Sequence, residues 1–280
     1  MNKSIFLVIG VGALLTVGLY SLPKVVVRNE DRKLTNEQTT DATTAVRDSA
    51  VLRTDRTDLH TATLSPDQQK ELSRLNRRFE SAAAAQKPVA GAELIQAYRK
   101  VSRYDSAAYI AEKLVQLAPT EANLLRAGDL YYEAYGFAVD NQKLANLGSK
   151  TREFYQKALD NNPNLLAAKA NMAMTYVTTE TPMQGIMLLR DVLKEDPTNE
   201  LALFNMGLLS MRSGQYNRAV ERFQAILKSH PENTKAQFYL AISLGEMGRK
   251  EEARKLLANV KEREKDPNIQ AAIKELEQNL

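Results

Sequence analysis

Residues 200–233 read ELALFNMGLLSMRSGQYNRAVERFQAILKSHPEN, two short amphipathic helices with a turn at Ser213–Gly214. Leu203, Met206, Gly207 and Ser210 share one side of the first, and Tyr216, Ala219, Phe223 and Ile226 share one side of the second, which stops before Pro231. A hairpin this small cannot bury its apolar face alone, so it needs neighbours of its own kind. The prolines mark them: Pro163, Pro197 and Pro231 recur every 34 residues, and Pro119 precedes Pro163 by 44.

The small residue Gly207, the pair Ala219-x3-Phe223 and the closing Pro231 resemble the tetratricopeptide repeat, whose period is 34 residues. Leu203 stands where that family carries Trp, and Ser210 where the first helix carries Tyr. The resemblance implies an all-α solenoid of helical hairpins wound into a right-handed superhelix.

On this reading residues 88–266 hold five repeats: 88–121, 122–165, 166–199, 200–233 and a degenerate 234–266. The first places helices near 90–101 and 104–117. The second carries Leu124, Gly128, Tyr131 and Tyr132, then Phe154, Tyr155, Ala158 and Leu159, with an insertion at 137–150 expected as a loop or an elongated helix. In the third, Tyr176 precedes the turn, Pro182 falls in the first turn of the second helix, and Gly185 is its small residue. Residues 267–280 form a capping helix with Ile269, Ile273, Leu276 and Leu280. Ahead of the repeats, Ser65 is an N-cap with Pro66 at the first helical position, and a lead-in helix within 65–87 turns Leu72, Leu75, Phe79 and Ala83 to one side.

Farther out the composition changes. Residues 1–4 are a polar leader with Lys3, and residues 5–22 carry no charge and end at Pro23. Eighteen helical residues span roughly 27 Å, close to the hydrocarbon core, so we expect a transmembrane signal anchor rather than a cleaved signal peptide. Lys24, Arg28, Arg32 and Lys33 would hold the bulk of the chain in the cytoplasm. A short leader with a single Lys is instead typical of exported anchors, and we expect a bacterial inner-membrane protein with periplasmic repeats. Residues 23–64, rich in Thr, Asp and Arg and holding His60, read as a flexible linker.

Of the 280 residues none is Cys, which excludes a disulfide framework, a thiolate nucleophile and thiolate-bound zinc. His60 and His230 lie in unrelated surroundings. The net charge of +4 is split as +3 over residues 1–87 and +1 over 88–280, with signs interspersed along the repeats. Nothing resembles a phosphate-binding stripe, so nucleic acid is not an expected partner. No catalytic, cofactor-binding or metal-binding constellation is expected.

The resemblance implies that first helices line a concave surface. The family's inward positions fall on Ala122, Leu125, Asp129 and Tyr132; on Ala167, Ala170, Met174 and Val177; on Leu201, Phe204, Leu208 and Met211; and on Lys235, Phe238 and Ile242, with Gln96 and Arg99 from the first repeat. This gives a mostly apolar groove with Asn171 and Asn205 at its margin, suited to an apolar segment of a protein partner. Arg99 and Lys235 stand too far apart to clamp a carboxylate tail. The expected function is a membrane-tethered interaction scaffold or adaptor, not an enzyme. Its rivals are an accessory subunit in envelope protein assembly or cytochrome maturation, and an organelle-surface receptor with cytosolic repeats.

Overall fold

The structure is a computed structural model and describes residues 63–280, which lie within a single compact unit. The expected leader, the transmembrane segment 5–22 and the linker as far as residue 62, with His60, fall outside the described residues. No helix among the described residues is long and apolar enough to cross a membrane.

The described chain is helical throughout, without strands. A lead-in helix α1 (Pro66–Ser81) precedes five hairpins. They are α2 (Lys87–Lys100) with α3 (Tyr104–Leu117), α4 (Glu121–Phe137) with α5 (Asn141–Asn161), α6 (Leu166–Met174) with α7 (Pro182–Glu195), α8 (Glu200–Arg212) with α9 (Tyr216–Ser229), and α10 (Thr234–Glu246) with α11 (Lys250–Arg263). Helix α12 (Pro267–Asn279) closes the array. Each helix packs on its chain neighbours, and α4 also meets α6, α6 meets α8 and α8 meets α10, so the first helices from α4 to α10 form a continuous row.

Local chemistry sets where the helices begin. Ser65 accepts from the Gln68 N–H while the Gln68 side chain returns to the Ser65 N–H, a reciprocal capping box. Thr120, Asn199 and Asn233 follow the repeat-closing prolines and cap α4, α8 and α10, each accepting a backbone N–H three residues on. The second helices α3, α7, α9 and α11 start without a side-chain cap. Their orientation comes from packing: Ala107, Leu189, Phe223 and Leu257 are fully buried against the preceding helix and its neighbours. A buried Leu or Phe of this kind stabilises the fold by about 1.5–3 kcal/mol.

Two expectations change, and the insertion takes the second of its two expected forms. The lead-in helix ends at Ser81, because Ala82 is extended, and Ala83 is exposed. The insertion at 137–150 is absorbed as helix: α4 runs on to Phe137, whose ring stacks on Tyr104 at 4.2 Å, and α5 starts at Asn141 under an Asp140 cap and reaches 21 residues. Helix α6 is short, so Tyr176 and Val177 lie in the turn beyond it.

The lengthened second repeat and the shortened α6 are connected. From the lengthened α5, Arg152 donates to the Thr175 carbonyl at 3.0 Å and to its hydroxyl at 3.2 Å, and lies 5.0 Å from the Tyr176 ring centroid. Tyr135, from the lengthened α4, shares a hydrogen bond with Thr178 at 3.0 Å. The extra turns of the second repeat therefore tie down the end of the truncated third-repeat helix. Gly148 leaves room for this, since a Cβ there would crowd both Tyr135 and Arg152.

Candidate functional site

None of the twelve positions singled out for the groove is fully buried. Leu125, Asp129 and Tyr132 are brought together on α4, where they line an open cleft of about 720 Å³ with Gln96 and Arg99 of α2 and Asn171 of α6. The other nine lie elsewhere. Met174 and Leu201 lean on the core between α6 and α8, and Leu208 and Met211 lean on the C-terminal core. Val177 has left its helix because α6 stops at Met174. Phe204, Lys235 and Phe238 gather around Tyr239: Phe204 and Phe238 meet its ring edge-on at 5.3 and 5.5 Å, and the Lys235 ammonium lies 5.9 Å from the Phe204 centroid. Ile242 is half-buried on α10.

The cleft differs from the mostly apolar groove expected. Its floor is set by Gly128, where any Cβ would lie 2.5 Å from the Tyr155 ring. The missing side chain lets Tyr155 of α5 slide beneath α4, fully buried, so that its hydroxyl reaches the cleft. There it donates to Asp129 Oδ1 at 2.6 Å and accepts from Asn171 Nδ2 at 3.3 Å. Burial, with the charge of Asp129 second, pushes the Tyr155 hydroxyl well above the usual tyrosine range. The proton therefore stays on Tyr155, which donates it to Asp129. Beside it, burial and then Tyr135 push Tyr132 up to about 12, keeping it a neutral donor.

At the cleft edge Arg99 Nε and Nη2 each donate to the Glu133 carboxylate at 2.9 Å, a forked pair joining α2 to α4. Arg99 is thereby taken, as Lys235 is by Phe204. Arg126, one helical turn before Asp129 and Leu130, makes no side-chain ion pair or hydrogen bond among the described residues. Asn205 is not at a groove margin: it is buried and donates to the Ala170 carbonyl at 3.3 Å, joining α8 to α6.

Sequence reasoning missed Glu133, Arg126, Ile95 and the hydroxyl of Tyr155 as parts of this cleft. One signal was available. Arg99 and Glu133 have opposite charge and stand 34 residues apart, one repeat period, which places them side by side on adjacent first helices. No spacing announces the Tyr155 hydroxyl, because a ring in that position ordinarily serves as core.

The arrangement offers fixed hydrogen-bond donors and acceptors on an apolar bed. No group of three or more His, Cys, Asp or Glu side chains is placed to hold a metal among the described residues. His230 caps α9 at the surface, 3.6 Å from the Glu200 carboxylate.

Residues 210–276 match the family model of the tetratricopeptide repeat. No curated protein sequence matches the chain. Among solved structures it is similar to a tetratricopeptide repeat protein from Parabacteroides merdae ATCC 43184, at 14% identity over 85% of this chain and 87% of that one, with a TM-score of 0.56. Weaker likenesses are MamA (17% identity, 59% and 91% coverage, TM-score 0.45) and YrrB, described as a TPR protein with an unusual peptide-binding site (14%, 72% and 97%, TM-score 0.42). The described part of the chain is thus an all-α array of helical hairpins with a tetratricopeptide-like fold, and residues 210–276 match that family's sequence model.

Proposed function

We propose that this protein is an interaction scaffold, tethered to a membrane through residues 5–22, that holds an extended segment of a protein partner in the cleft of α2, α4 and α6. The observation that carries the reading is the buried Tyr155 hydroxyl locking Asp129 and Asn171 into fixed positions on the cleft floor. Preorganised polar groups cost little to order when a ligand arrives. Asn171, Gln96, Arg126 and Asp129 offer both donors and acceptors, while Leu125, Ile95 and Tyr132 supply apolar contact between them. That alternation suits an extended backbone with its amides and side chains in turn, whereas a uniformly apolar groove would suit a helix. Function here is binding and placement beside the bilayer, with no reaction assigned.

Para-benzoyl-phenylalanine placed at Leu125 and, in separate chains, at Phe204 tests the assignment in intact cells. Partner adducts are expected from Leu125 in greater yield than from Phe204. Adducts from Phe204 alone would move the site to the C-terminal aromatic cluster, and none from either would remove groove recruitment altogether. The uncharged run at 5–22 supports the tether, and export with periplasmic repeats remains our reading of its orientation. Protease added to spheroplasts should then digest the repeat region without lysis; protection until lysis would reverse the orientation.

A further inference from the structure

The solvent face of α7 and α9 carries a second surface, separate in its residues from the cleft. On α7, Met183 and Met187 are 56% and 59% exposed and stand one helical turn apart. Arg190 follows at helical spacing, so the three share one face over about 10 Å of helix. On α9, Arg218 and Arg222 stand one turn apart, and α7 and α9 both pack against α8.

The arginines lack acid. Arg222 donates to the buried Ser210 hydroxyl on α8 and to the Arg218 carbonyl at 3.2 Å, and Arg218 donates to Gln215 at 2.7 Å. None of Arg190, Arg218 and Arg222 forms an ion pair among the described residues. Elsewhere Arg74 pairs with Glu71, Arg78 with Glu93, Arg249 with Glu252 and Arg254 with Glu251, whereas exposed Arg77, Arg126, Arg212 and Arg263 form no ion pair among the described residues. What sets this face apart is the grouping of three arginines without an ion pair on α7 and α9. Asp191, the acid nearest in sequence on α7, is held by Lys194 at 2.8 Å. Burial and then the neighbouring Arg218 lower the pKa of Arg222, Arg190 adds to this, and Glu221 is the one opposing charge. Three arginines without an acid partner, on two helices that both pack against α8, with two adaptable thioethers on the same face of α7 as Arg190, form a surface that wants a counter-charge with an apolar edge.

We propose that the face made by Met183, Met187, Arg190, Arg218 and Arg222 docks an acidic amphipathic helix of a protein partner. An apolar stripe on that helix lies along the two methionines, and carboxylates on its flank meet the arginine forks. A helix fits because apolar and cationic contacts follow one another along α7 within two turns, the repeat over which a partner helix presents the same face again.

The test uses the full chain in phosphatidylcholine nanodiscs and a fluorescein-labelled synthetic helix of about three heptads, with Leu along one face and Glu on its flanks. Fluorescence anisotropy should report binding that weakens as salt rises, and a probe with Lys in place of Glu should not bind. Arg190→Glu combined with Arg218→Glu should weaken the Glu probe by about tenfold or more. Both side chains are exposed, so the fold should persist, as circular dichroism would verify. Met187→Ser should weaken it severalfold, and Glu221→Gln should tighten it. Equal binding of the Lys probe would overturn the proposal, as would indifference to the double charge reversal. So would self-association that the reversal abolishes, which assigns the face to a second copy. Binding to phosphatidylglycerol vesicles, lost in the same variant while the Glu probe fails to bind, assigns it to a membrane and is equally fatal.

Discussion

The second and fourth repeats solve one packing problem in two ways. Counted from their caps at Thr120 and Asn199, Gly128 and Gly207 occupy matching places on the first helix. Each admits one ring from the second helix: a Cβ at Gly128 would lie 2.5 Å from Tyr155 Cδ1, and one at Gly207 would lie 2.6 Å from Phe223 Cζ. The next residue then decides the character of the site. Asp129 takes the hydroxyl of Tyr155, whereas Leu208 stands beside a ring that has none. One repeat sends a polar group through its core to the groove, and the other closes its core beneath an aromatic cluster of Phe204, Phe223 and Tyr239. A single oxygen on a common framework separates a candidate binding floor from a structural wall.

The largest effects come from removing the rings. Phe223→Ala and Tyr155→Ala should each cost about 3–5 kcal/mol in urea denaturation. Because hairpins in such arrays interact chiefly with their neighbours, the loss should appear as earlier unfolding of the affected end, and hydrogen exchange would locate it. A uniform loss across both ends would contradict the repeat-by-repeat picture.

Gly128→Ala and Gly207→Ala come next, at about 1–3 kcal/mol each. They should not be equal. At Gly128 the clash reaches Cδ1, Cε1 and Cγ, the inner edge of a ring whose hydroxyl is fixed; at Gly207 it falls first on the ring tip, which can retreat. Gly128→Ala should therefore be worse, despite the gain of up to about 1 kcal/mol in helix propensity that both share. Equal midpoints would show that the Tyr155 hydroxyl does not hold its ring in place.

Much of this framework was legible because it is periodic. Proline spacing, the small residue and the Ala-x3-Phe pair determined the hairpin boundaries to within a few residues, and Ser65 was visible as an N-cap, though its reciprocal bond with Gln68 was not. What escaped notice depended on single side chains crossing between repeats. The shortness of α6 follows from Arg152 and Tyr135 holding residues 175–178 in a turn, and nothing in the local stretch AMTYVTTE reports on partners so far back in the chain. Gly185 read only as the small residue of its helix; a Cβ there would lie 2.3 Å from the Ala173 carbonyl oxygen, so close approach of α7 to α6 requires it. Asn205 was expected at the groove margin. It is buried because one carbonyl of α6 is within its reach.

Exchanging the oxygen sharpens the comparison further. Tyr155→Phe removes a hydrogen bond to a partly solvated carboxylate and should cost about 1 kcal/mol, with Asp129 recovering water in its place. Phe223→Tyr places a hydroxyl beside Leu208, with no acceptor provided, at about 1–3 kcal/mol. Adding Leu208→Asp should recover part of that loss, and a double-mutant cycle measures the coupling. Zero coupling would mean that the second repeat's arrangement cannot be transplanted by its polar pair alone.

The smallest effect concerns the turns. Gly214 and Gly248 sit at φ of 69° and 76°, and Ser102 holds the matching place in the first repeat at 57°. In all three the following N–H returns to the helix behind it: Arg103 to Tyr98 at 2.9 Å, Gln215 to Ser210 at 2.8 Å and Arg249 to Leu244 at 2.9 Å. These are the paired closing bonds that end a helix through a left-handed residue. An L side chain there costs about 1–2 kcal/mol, and glycine gives back part of the difference through its freer unfolded chain. Ser102→Gly should therefore raise stability by about 0.5 kcal/mol, and Gly214→Ser should lower it by about 1 kcal/mol. Both shifts are readable as urea midpoints against the parent chain, with the denaturant slope unchanged. A destabilised Ser102→Gly would mean that the serine hydroxyl, and not the backbone, holds the first turn.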